Sequence, residues 1–363
     1  MRTYSILGLG LIGGSVGLGL AAARPDARVV GYDIDPAAMQ GALRRGAITE
    51  ASGSAEAAVA EADLVVLAMP VDVVPGVCSR LAGAVAPGAV VTDVGSAKVA
   101  VVADGERAFG DRFVGGHPMA GSERHGIEAA DVKLFEGAWW ILTPTEGTRS
   151  PAYSAVAELA SDLGATPVAV APDVHDSLVA RLSHVPQLAA SALVEATSGS
   201  GDGQDLLGLA GGGFRDVTRI AASDPDLWIG ILRSNHEAVL EALGTYSRRL
   251  GNVAEMIRTG DWDELRGLLA RAREARLGLF AKAVYTGDPV SLSLLIPDRP
   301  GVLAEVTTAA GLLGANIEDL RSLHSTEGGR GRHVLVIAGE DAAAALASRL
   351  ESLGYHVEVG DIE

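Results

Sequence analysis

The sequence predicts an α/β protein: a doubly wound parallel sheet, then an all-helical segment, then a small βαββαβ module. Strand-like and helix-like runs alternate up to about residue 170, helical periodicity alone follows, and strands return near residue 290. We therefore expect three domains, at residues 1–170, 171–286 and 289–363. A chain of 363 residues is also too long for one typical core.

The composition excludes several classes of partner. The formal net charge is −17 and no run of Lys or Arg stands out, so we expect neither a nucleic-acid nor a membrane partner. A single cysteine, Cys78, rules out a disulfide framework and a cysteine metal cluster. No apolar run reaches membrane-spanning length and no signal segment precedes the first strand, which predicts a cytoplasmic, soluble protein.

The first predicted strand, residues 3–7, runs into a glycine-rich turn. Gly8, Gly10 and Gly13 form G-x-G-x-x-G between this strand and a helix-compatible stretch. The first glycine makes the tight turn, the second lets the backbone approach a pyrophosphate, and the third allows close helix–strand packing. Together with Leu11 and Ile12 at the start of the helix, they predict a Rossmann-type cofactor site.

Asp33 ends the second predicted strand, 20 residues beyond Gly13. An acid at this spacing is expected to bond the ribose hydroxyls of NAD and to repel the 2′-phosphate of NADP. The alternative is a turn-forming acid, and Arg44 or Arg45 could weaken the preference for NAD. The sequence therefore predicts NAD as the cofactor.

Predicted strands at residues 62–68, 89–93, 112–114, 138–143 and 165–170 continue the sheet. Ligands of such sheets lie beyond the carboxyl ends of the strands. We therefore expect Met69, Pro70, Ser96 and His117, which follow strands, to share a rim with the glycine-rich turn. Ser96 could instead be the N-cap of the helix that follows it.

His117 is presented by a small-residue turn, Gly115-Gly116-His117-Pro118. Glycine allows a loop to approach a ligand closely because no Cβ intervenes, and histidine titrates nearest to neutral pH. The alternative is a tight surface turn with an incidental histidine.

In the helical segment, Pro186 predicts a kink or break that could turn His184 and Gln187 toward the cleft. We interpret His184 and His175 as core residues. The glycines at positions 211–213 predict a loop pressed close to a ligand, because they would weaken a helix interior.

Arg215 and Arg219 are four residues apart and share a helical face, which suits a carboxylate. Alternatively, either arginine forms an ion pair with Asp216 or Asp224. Trp228 is most simply a core anchor. The apolar faces of the following helices predict a homodimer.

The chain resembles the bacterial prephenate/arrogenate dehydrogenase family (arrogenate is also spelled arogenate) over roughly residues 1–285. The motifs that carry the resemblance occupy residues 8–15, 93–98, 116–123 and 211–219. The C-terminal module, which has no evident catalytic set, resembles an ACT domain at residues 297–301 and 313–317.

The resemblance implies NAD-dependent oxidative decarboxylation of prephenate to 4-hydroxyphenylpyruvate in tyrosine biosynthesis. His117 would accept the substrate hydroxyl proton, Ser96 would bond that hydroxyl, and Arg219 would hold a carboxylate. It also implies feedback regulation by tyrosine. The further residues implied are Gly212, Gln187, Glu123 and Trp228 for substrate, and Asp298, Gly301 and Asn316 for the effector.

Gln187 departs from the family pattern, in which a histidine is frequent at that position. An acid there would suit the ammonium of arogenate better than an amide does, so we expect prephenate as substrate, with arogenate as the alternative. Two further alternatives are another NAD(P) oxidoreductase of the hydroxyacid or imine-reducing kind, and a non-catalytic sensor of NAD and amino acids.

Overall fold

The computed structural model describes residues 2–121, 124–198, 208–281, 289–297, 301–324 and 330–360. The chain divides into two compact units, residues 1–249 and 250–363. The finer division into three domains stays a prediction.

The first unit is built on an eight-stranded sheet in the order β3-β2-β1-β4-β5-β6-β7-β8. Since β2 and β4 lie on opposite sides of β1, the strand order reverses at β1, where a doubly wound sheet binds its ligands. The strands are β1 (Thr3–Leu7), β2 (Arg28–Tyr32), β3 (Glu50–Ala51), β4 (Leu64–Leu67), β5 (Val90–Asp93), β6 (Phe113–Pro118), β7 (Trp139–Thr143) and β8 (Thr166–Ala169).

The sheet is not parallel throughout, which corrects the sequence-based expectation. Strands β1 to β6 are parallel, but β7 is antiparallel to β6, and β8 is parallel to β7. A parallel pair needs a crossover, usually a helix, between its strands. Among the described residues between β6 and β7, the only helical segment is the 3₁₀ turn Ile127–Ala129, and the chain doubles back instead.

Each face of the sheet has its own apolar core. Ile6, Leu20 and Trp140 belong to one cluster, whereas Leu7 and Val65 belong to the other. The central strand β4 is buried along its whole length, as predicted for a strand covered on both faces. The covering helices are α1 (Leu11–Ala23), α2 (Pro36–Arg45), α3 (Ala55–Val59), α4 (Val74–Leu81), α5 (Val99–Phe109) and α6 (Ser150–Asp162).

The break predicted at Pro186 is confirmed: a π-helical turn, Ala180–His184, precedes the helix that contains the proline. The loop predicted for the three glycines is wrong, because Gly212 begins a helix and Gly211 is its N-cap. Glycine is tolerated there, since the first N–H groups of a helix have no intrahelical partner. These helices are α7 (Pro172–Val179), α8 (Val185–Ser198), α9 (Gly212–Thr218), α10 (Pro225–Ser234) and α11 (His236–Thr259).

The second unit contains helix α12 (Trp262–Ala281) and a four-stranded antiparallel sheet in the order β10-β11-β9-β12. The elements of this module follow one another in the predicted order βαββαβ, around a core that includes Leu292, Leu335 and Leu346. Within the described residues, no helix combines the length and the apolar character needed to span a membrane. The elements are β9 (Pro289–Pro297), α13 (Val302–Leu312), β10 (Ile317–His324), β11 (Arg330–Ala338), α14 (Glu340–Ser352) and β12 (His356–Gly360).

Candidate active site

A cleft of about 750 Å³ opens at the carboxyl ends of the central strands. Helix α10 contributes Asp224, Asp226, Leu227 and Ile231 from its N-terminal region to the facing wall. The sequence-predicted residues that the structure brings together in this cleft are Gly10, Leu11, Ile12, Met69, Pro70, Ser96 and His117.

An adjoining cavity of about 470 Å³ contains Asp33 and shares Gly10, Met69 and Pro70 with the cleft. The Asp33 carboxylate accepts hydrogen bonds from the backbone N–H groups of Leu9 (2.6 Å) and Asp35 (2.9 Å). Asp33 therefore forms a turn, as the alternative interpretation has it, and also lines the cavity, while its contact with the ribose hydroxyls stays a prediction.

The three motif glycines differ in what surrounds them. Gly8 has a φ of +96°, and a Cβ on Gly13 would lie 1.9 Å from the Gly8 carbonyl oxygen, so both are required by the backbone itself. A Cβ on Gly10 would meet nothing within 4 Å, and Gly10 is the N-cap of α1 without a side-chain cap. Free helix N–H groups beside open space fit the pyrophosphate of a dinucleotide.

Sequence reasoning missed the apolar walls of the Asp33 cavity. Ile34 is 91% exposed at its edge, and Val73 and Val77 line it as well. An isoleucine directly after the acid that follows β2 was the available signal. Arg45 donates to the carbonyl groups of residues 127 and 130, and Arg44 pairs with Glu128, so neither lines this cavity.

His117 lies within strand β6, which corrects the predicted turn. The backbone of Gly115 and Gly116 pairs with β7. A Cβ on Gly115 would lie 2.3 Å from Thr143 Oγ1, and a Cβ on Gly116 would lie 2.6 Å from the Asp93 carbonyl oxygen. These glycines therefore serve the packing of strands rather than the approach of a ligand.

A chain of hydrogen bonds leads from His117 into the protein interior. His117 Nδ1 lies 2.8 Å from His175 Nε2, and His175 Nδ1 lies 2.8 Å from Asp176 Oδ1. His175 and Asp176 are both buried. The structure therefore places His175 in the site, where the sequence suggested only a core residue.

This chain determines which ring nitrogens carry protons. The Asp176 carboxylate only accepts, so His175 donates Nδ1–H to it and accepts at Nε2 from His117 Nδ1–H. The lone pair of His117 is then on Nε2, which has no hydrogen-bond partner among the described residues. His117 lines the cleft, so it is arranged to accept a proton there.

Burial lowers the pKa of His117 well below 6.5, and the positive charges that His175, Lys98 and His184 can carry lower it further. The imidazole is therefore neutral at pH 7. A neutral histidine with one fixed tautomer is the form that a general base requires.

Asp176 also caps helix α5. Its two carboxylate oxygens accept hydrogen bonds from the backbone N–H groups of Lys98 (2.7 Å) and Val99 (2.9 Å). The alternative interpretation of Ser96 as the N-cap is therefore wrong, because α5 begins at Val99 and its cap comes from α7. Ser96 lines the cleft.

The π-helical turn supports this network from the opposite side. His184 is buried, and its Nδ1 atom lies 3.3 Å from Asn235 Nδ2. Its ring meets the Trp228 ring edge to face, with 5.9 Å between the ring centroids. Asn235 in turn donates to the Asp176 carbonyl oxygen at 2.9 Å. Trp228 thus packs against the site's supporting residues and is not among those that line the cleft.

Three of the other predicted substrate residues do not line the cleft. Gly212 and Arg219 are exposed, and Gln187 is buried with its Oε1 atom unpartnered. Neither Arg215 nor Arg219 has an ion-pair partner among the described residues, so the predicted alternative pairing with Asp216 or Asp224 is wrong. Glu123 lies outside the described residues.

In the second unit, two of the three predicted effector residues are described. Gly301 is the N-cap of α13 with a φ of +89°, and Asn316 donates to Glu318 at 2.6 Å. Asp298 lies outside the described residues.

A doubly wound sheet with a glycine-rich turn and a histidine in the cleft at the carboxyl ends of its strands is the arrangement of an NAD-dependent dehydrogenase. Residues 16–169 match the family "Prephenate dehydrogenase, nucleotide-binding domain", and residues 171–271 match "Prephenate dehydrogenase, dimerization domain". The chain belongs to the prephenate dehydrogenase family.

Individual relatives agree with this assignment. The chain is 34% identical to a prephenate dehydrogenase of Bacillus subtilis, over 90% of this chain and 89% of that protein. It resembles the Aquifex aeolicus prephenate dehydrogenase solved with hydroxyphenyl propionate and NAD⁺ (TM-score 0.73, 34% identity, 77% of this chain and 98% of that one). It also resembles the arogenate dehydrogenase of Synechocystis (TM-score 0.67, 30% identity, 76% and 99%).

Proposed function

We propose that this chain oxidatively decarboxylates prephenate to 4-hydroxyphenylpyruvate, with His117 as the general base. The observation that carries this proposal is the His117–His175–Asp176 chain, which leaves Nε2 of His117 in the cleft without a hydrogen-bond partner among the described residues. The family assignment supports the reaction, because the matched relatives are oxidoreductases named for it.

NAD fits the two adjoining cavities. Gly10 and the N-terminus of α1 suit the pyrophosphate, Asp33 suits the ribose hydroxyls, and Ile34 with Val73 suits the adenine. When bound, NAD⁺ supplies the acceptor for the hydride that leaves the ring carbon carrying the hydroxyl. An acid at Asp33, with Arg45 engaged elsewhere, supports NAD over NADP.

The proton follows a balanced route. His117 Nε2 takes the hydroxyl proton as hydride leaves, so the ring carbon becomes a carbonyl, and the imidazolium is stabilised by His175 and Asp176. Loss of the ring carboxylate as CO₂ sends an electron pair into the ring and produces a phenolate. The phenolate recovers the proton from His117, and Ser96 is positioned in the same cleft to bond this oxygen.

Arg219 is proposed to hold a substrate carboxylate. Gly212, which begins the helix that precedes Arg219, is proposed to contact the substrate as well. Its guanidinium is exposed and without an ion-pair partner among the described residues, five positions before the cleft residue Asp224. An unpaired arginine in a chain of net charge −17 supports a role toward an anion. Glu123 is proposed to order the loop that follows His117, and Trp228 is proposed to shape the pocket.

Arogenate is the second candidate substrate, and one observation favours it. Asp224 and Asp226 line the cleft, where a carboxylate suits the ammonium that arogenate carries in place of the ketone. Steady-state kinetics on both substrates decide between them, and Gln187→Glu should shift kcat/KM toward arogenate.

The helical segment is proposed to form a homodimer. Large apolar side chains are exposed along the segment that matches the family's dimerization domain, which is the signature of an interface. They include Leu182, Leu209, Val217, Leu240, Ile257 and Leu269.

The C-terminal module is proposed to be an ACT-type ferredoxin-like domain that binds tyrosine. Its βαββαβ order and its antiparallel sheet support this assignment. Gly301 and Asn316, with Asp298, are the proposed effector residues. Inhibition by tyrosine that is lost in Asn316→Ala, with the uninhibited rate retained, would support the role of this module.

The reaction is tested by the absorbance of NADH at 340 nm with NAD⁺ and prephenate. His117→Asn should lower kcat by about 10²- to 10⁴-fold, the range for loss of a general base, while Arg219→Ala should mainly raise KM. Undiminished activity in both variants would rule out this site. NAD binding without turnover in the wild-type protein would favour the sensor alternative.

Two matched variants control for non-specific effects. His236→Asn changes an exposed histidine, and Arg107→Ala changes an exposed arginine of α5, outside the segments that are proposed to bind substrate. Both are expected to keep wild-type kinetics.

A further inference from the structure

A fully buried ion pair joins the segment of Ser96 to the strand of His117. Lys98 Nζ contacts the Asp93 carboxylate and donates to the Gly116 carbonyl oxygen at 2.8 Å. Neither side chain has any exposed surface. Lysine and aspartate are almost never completely buried unless they are paired, so this arrangement is a specific feature of the fold.

The hydrogen bonds of Asp93 indicate that the pair is ionised. Asp93 Oδ2 accepts from the Gly95 N–H (2.8 Å), Oδ1 accepts from the Gly116 N–H (3.1 Å), and Lys98 is the third donor. Burial lowers the pKa of Lys98, and the hydrogen bonds to the Asp93 carboxylate act against that effect by favouring the charged form of the pair.

Lys98 connects all the segments that supply the reacting groups. The pair holds Gly95, which precedes Ser96, and Gly116, which precedes His117. The backbone N–H of Lys98 donates to Asp176, the residue that orients His175. A displacement of Lys98 would therefore disturb the whole arrangement around His117.

Stability alone is a weak reason for this pair. Two charges lose their hydration when they are buried, and well-packed apolar side chains often stabilise such positions equally well. A fixed positive charge near an imidazole, in contrast, has a definite effect, because it disfavours protonation of the ring. Lys98 is among the groups that lower the pKa of His117, after burial and His175.

Several other charged or titratable groups surround His117. Among these described residues, Lys98 alone combines a positive charge with complete burial. The others are His175 and Asp176 from α7, His184 from the π-helical turn, Asp93 from β5, and Asp72, Arg124, His125, Asp224 and Asp226 along the cleft.

We propose that Lys98 is a positioning residue: held by Asp93, it fixes the β6 backbone before His117 and keeps the imidazole unprotonated, ready to accept the substrate proton. The role in catalysis rests on the proposed function. The effect on His117 does not, because it can be measured in the protein without substrate.

The test is a titration of the histidine side chains by NMR, with the rings isotopically labelled. The chain has eight histidines, and the His117 signal is the one that His117→Asn removes. Lys98→Met should raise the pKa of His117 by about 1 or more, because the cation is lost while the negative charge of the Asp93 carboxylate remains. The acidic limb of the pH profile of kcat/KM should shift to higher pH by a similar amount.

Lys98→Met leaves a buried carboxylate unpaired and can fail to fold, so the double variant Lys98→Met/Asp93→Asn provides a neutral pair. It should also raise the pKa of His117, by less than the single variant does. Arg24→Met is the matched control, because it removes a cation paired with Asp162 away from the cleft and should leave His117 unchanged.

A folded Lys98→Met or double variant whose His117 titrates as in the wild type would overturn this proposal. Failure of the proposed function is a different result: the wild-type protein would not oxidise prephenate, while the pKa of His117 would still respond to Lys98.

Discussion

Asp176 links several elements through its buried carboxylate and its backbone carbonyl oxygen. It accepts the two N–H groups that begin α5 and the Nδ1–H of His175, and its own carbonyl oxygen accepts from Asn235. The dinucleotide-binding sheet and the helical segment therefore meet at this residue. The tautomer of His117 depends on the same hydrogen bonds that hold these two parts together.

His184 should make stability depend on pH. Burial is the largest cause that lowers its pKa, to about 4, so the folded protein keeps His184 neutral at pH 5 while the unfolded chain protonates it near 6.5. Stability from this group is present above pH 6.5 and is lost as the pH falls toward 4. Between pH 7 and pH 5 the loss is about 2 kcal/mol.

Urea unfolding at the two pH values, followed by tryptophan fluorescence, measures this loss. His184→Gln should remove about 2 kcal/mol of the pH dependence, whereas the exposed His236→Gln should remove none. An unchanged pH dependence in His184→Gln would show that folding does not lower the pKa of His184.

At the scale of elements, strand β6 shows that glycines beside a candidate functional residue can be required by the packing of strands. Gly115 and Gly116 precede His117, and the atoms nearest to a Cβ at these positions belong to Thr143 and Asp93. The strand must lie close to β5 and β7 so that Lys98 reaches the Gly116 carbonyl oxygen. We therefore expect the glycines to influence His117 through strand packing.

Gly116→Ala should therefore destabilise the protein and lower kcat together. The new Cβ would lie 2.6 Å from the Asp93 carbonyl oxygen and 3.0 Å from Trp140 Nε1, and such overpacking typically costs about 1–3 kcal/mol. Thermal unfolding and kcat provide the measurement. Gly121→Ala, where a Cβ meets nothing within 4 Å, is the control and should keep the wild-type unfolding temperature.

The sequence was sufficient for features that depend on local spacing. The glycine-rich turn, Asp33 and the π-helical break before Pro186 each follow from a pattern of neighbouring residues. It was insufficient for contacts between distant segments, such as Asp176 capping a helix that begins 77 residues earlier. The reversal of β7 was missed because a length of chain between strands does not reveal whether it forms a crossover.

At the scale of the whole molecule, the negative net charge affects how strongly an anionic substrate is repelled. The net charge is −17, and Asp72, Asp224 and Asp226 line the cleft beside Arg124. Prephenate carries two carboxylates and is repelled by this field, whereas the side-chain ammonium of arogenate cancels one of them. Charges beyond about 10 Å contribute to this repulsion only when the ionic strength is low.

Raising the ionic strength should therefore increase kcat/KM for prephenate at saturating NAD⁺. The Debye length shortens from about 30 Å at 0.01 M to about 8 Å at 0.15 M salt, so most of the long-range repulsion is screened. The increase should be smaller for arogenate and smaller in Asp226→Asn than in the wild type. A decrease with salt would instead mean that local cations, Arg124 or Arg219, dominate the field at the cleft, and the repulsion argued from net charge would be wrong.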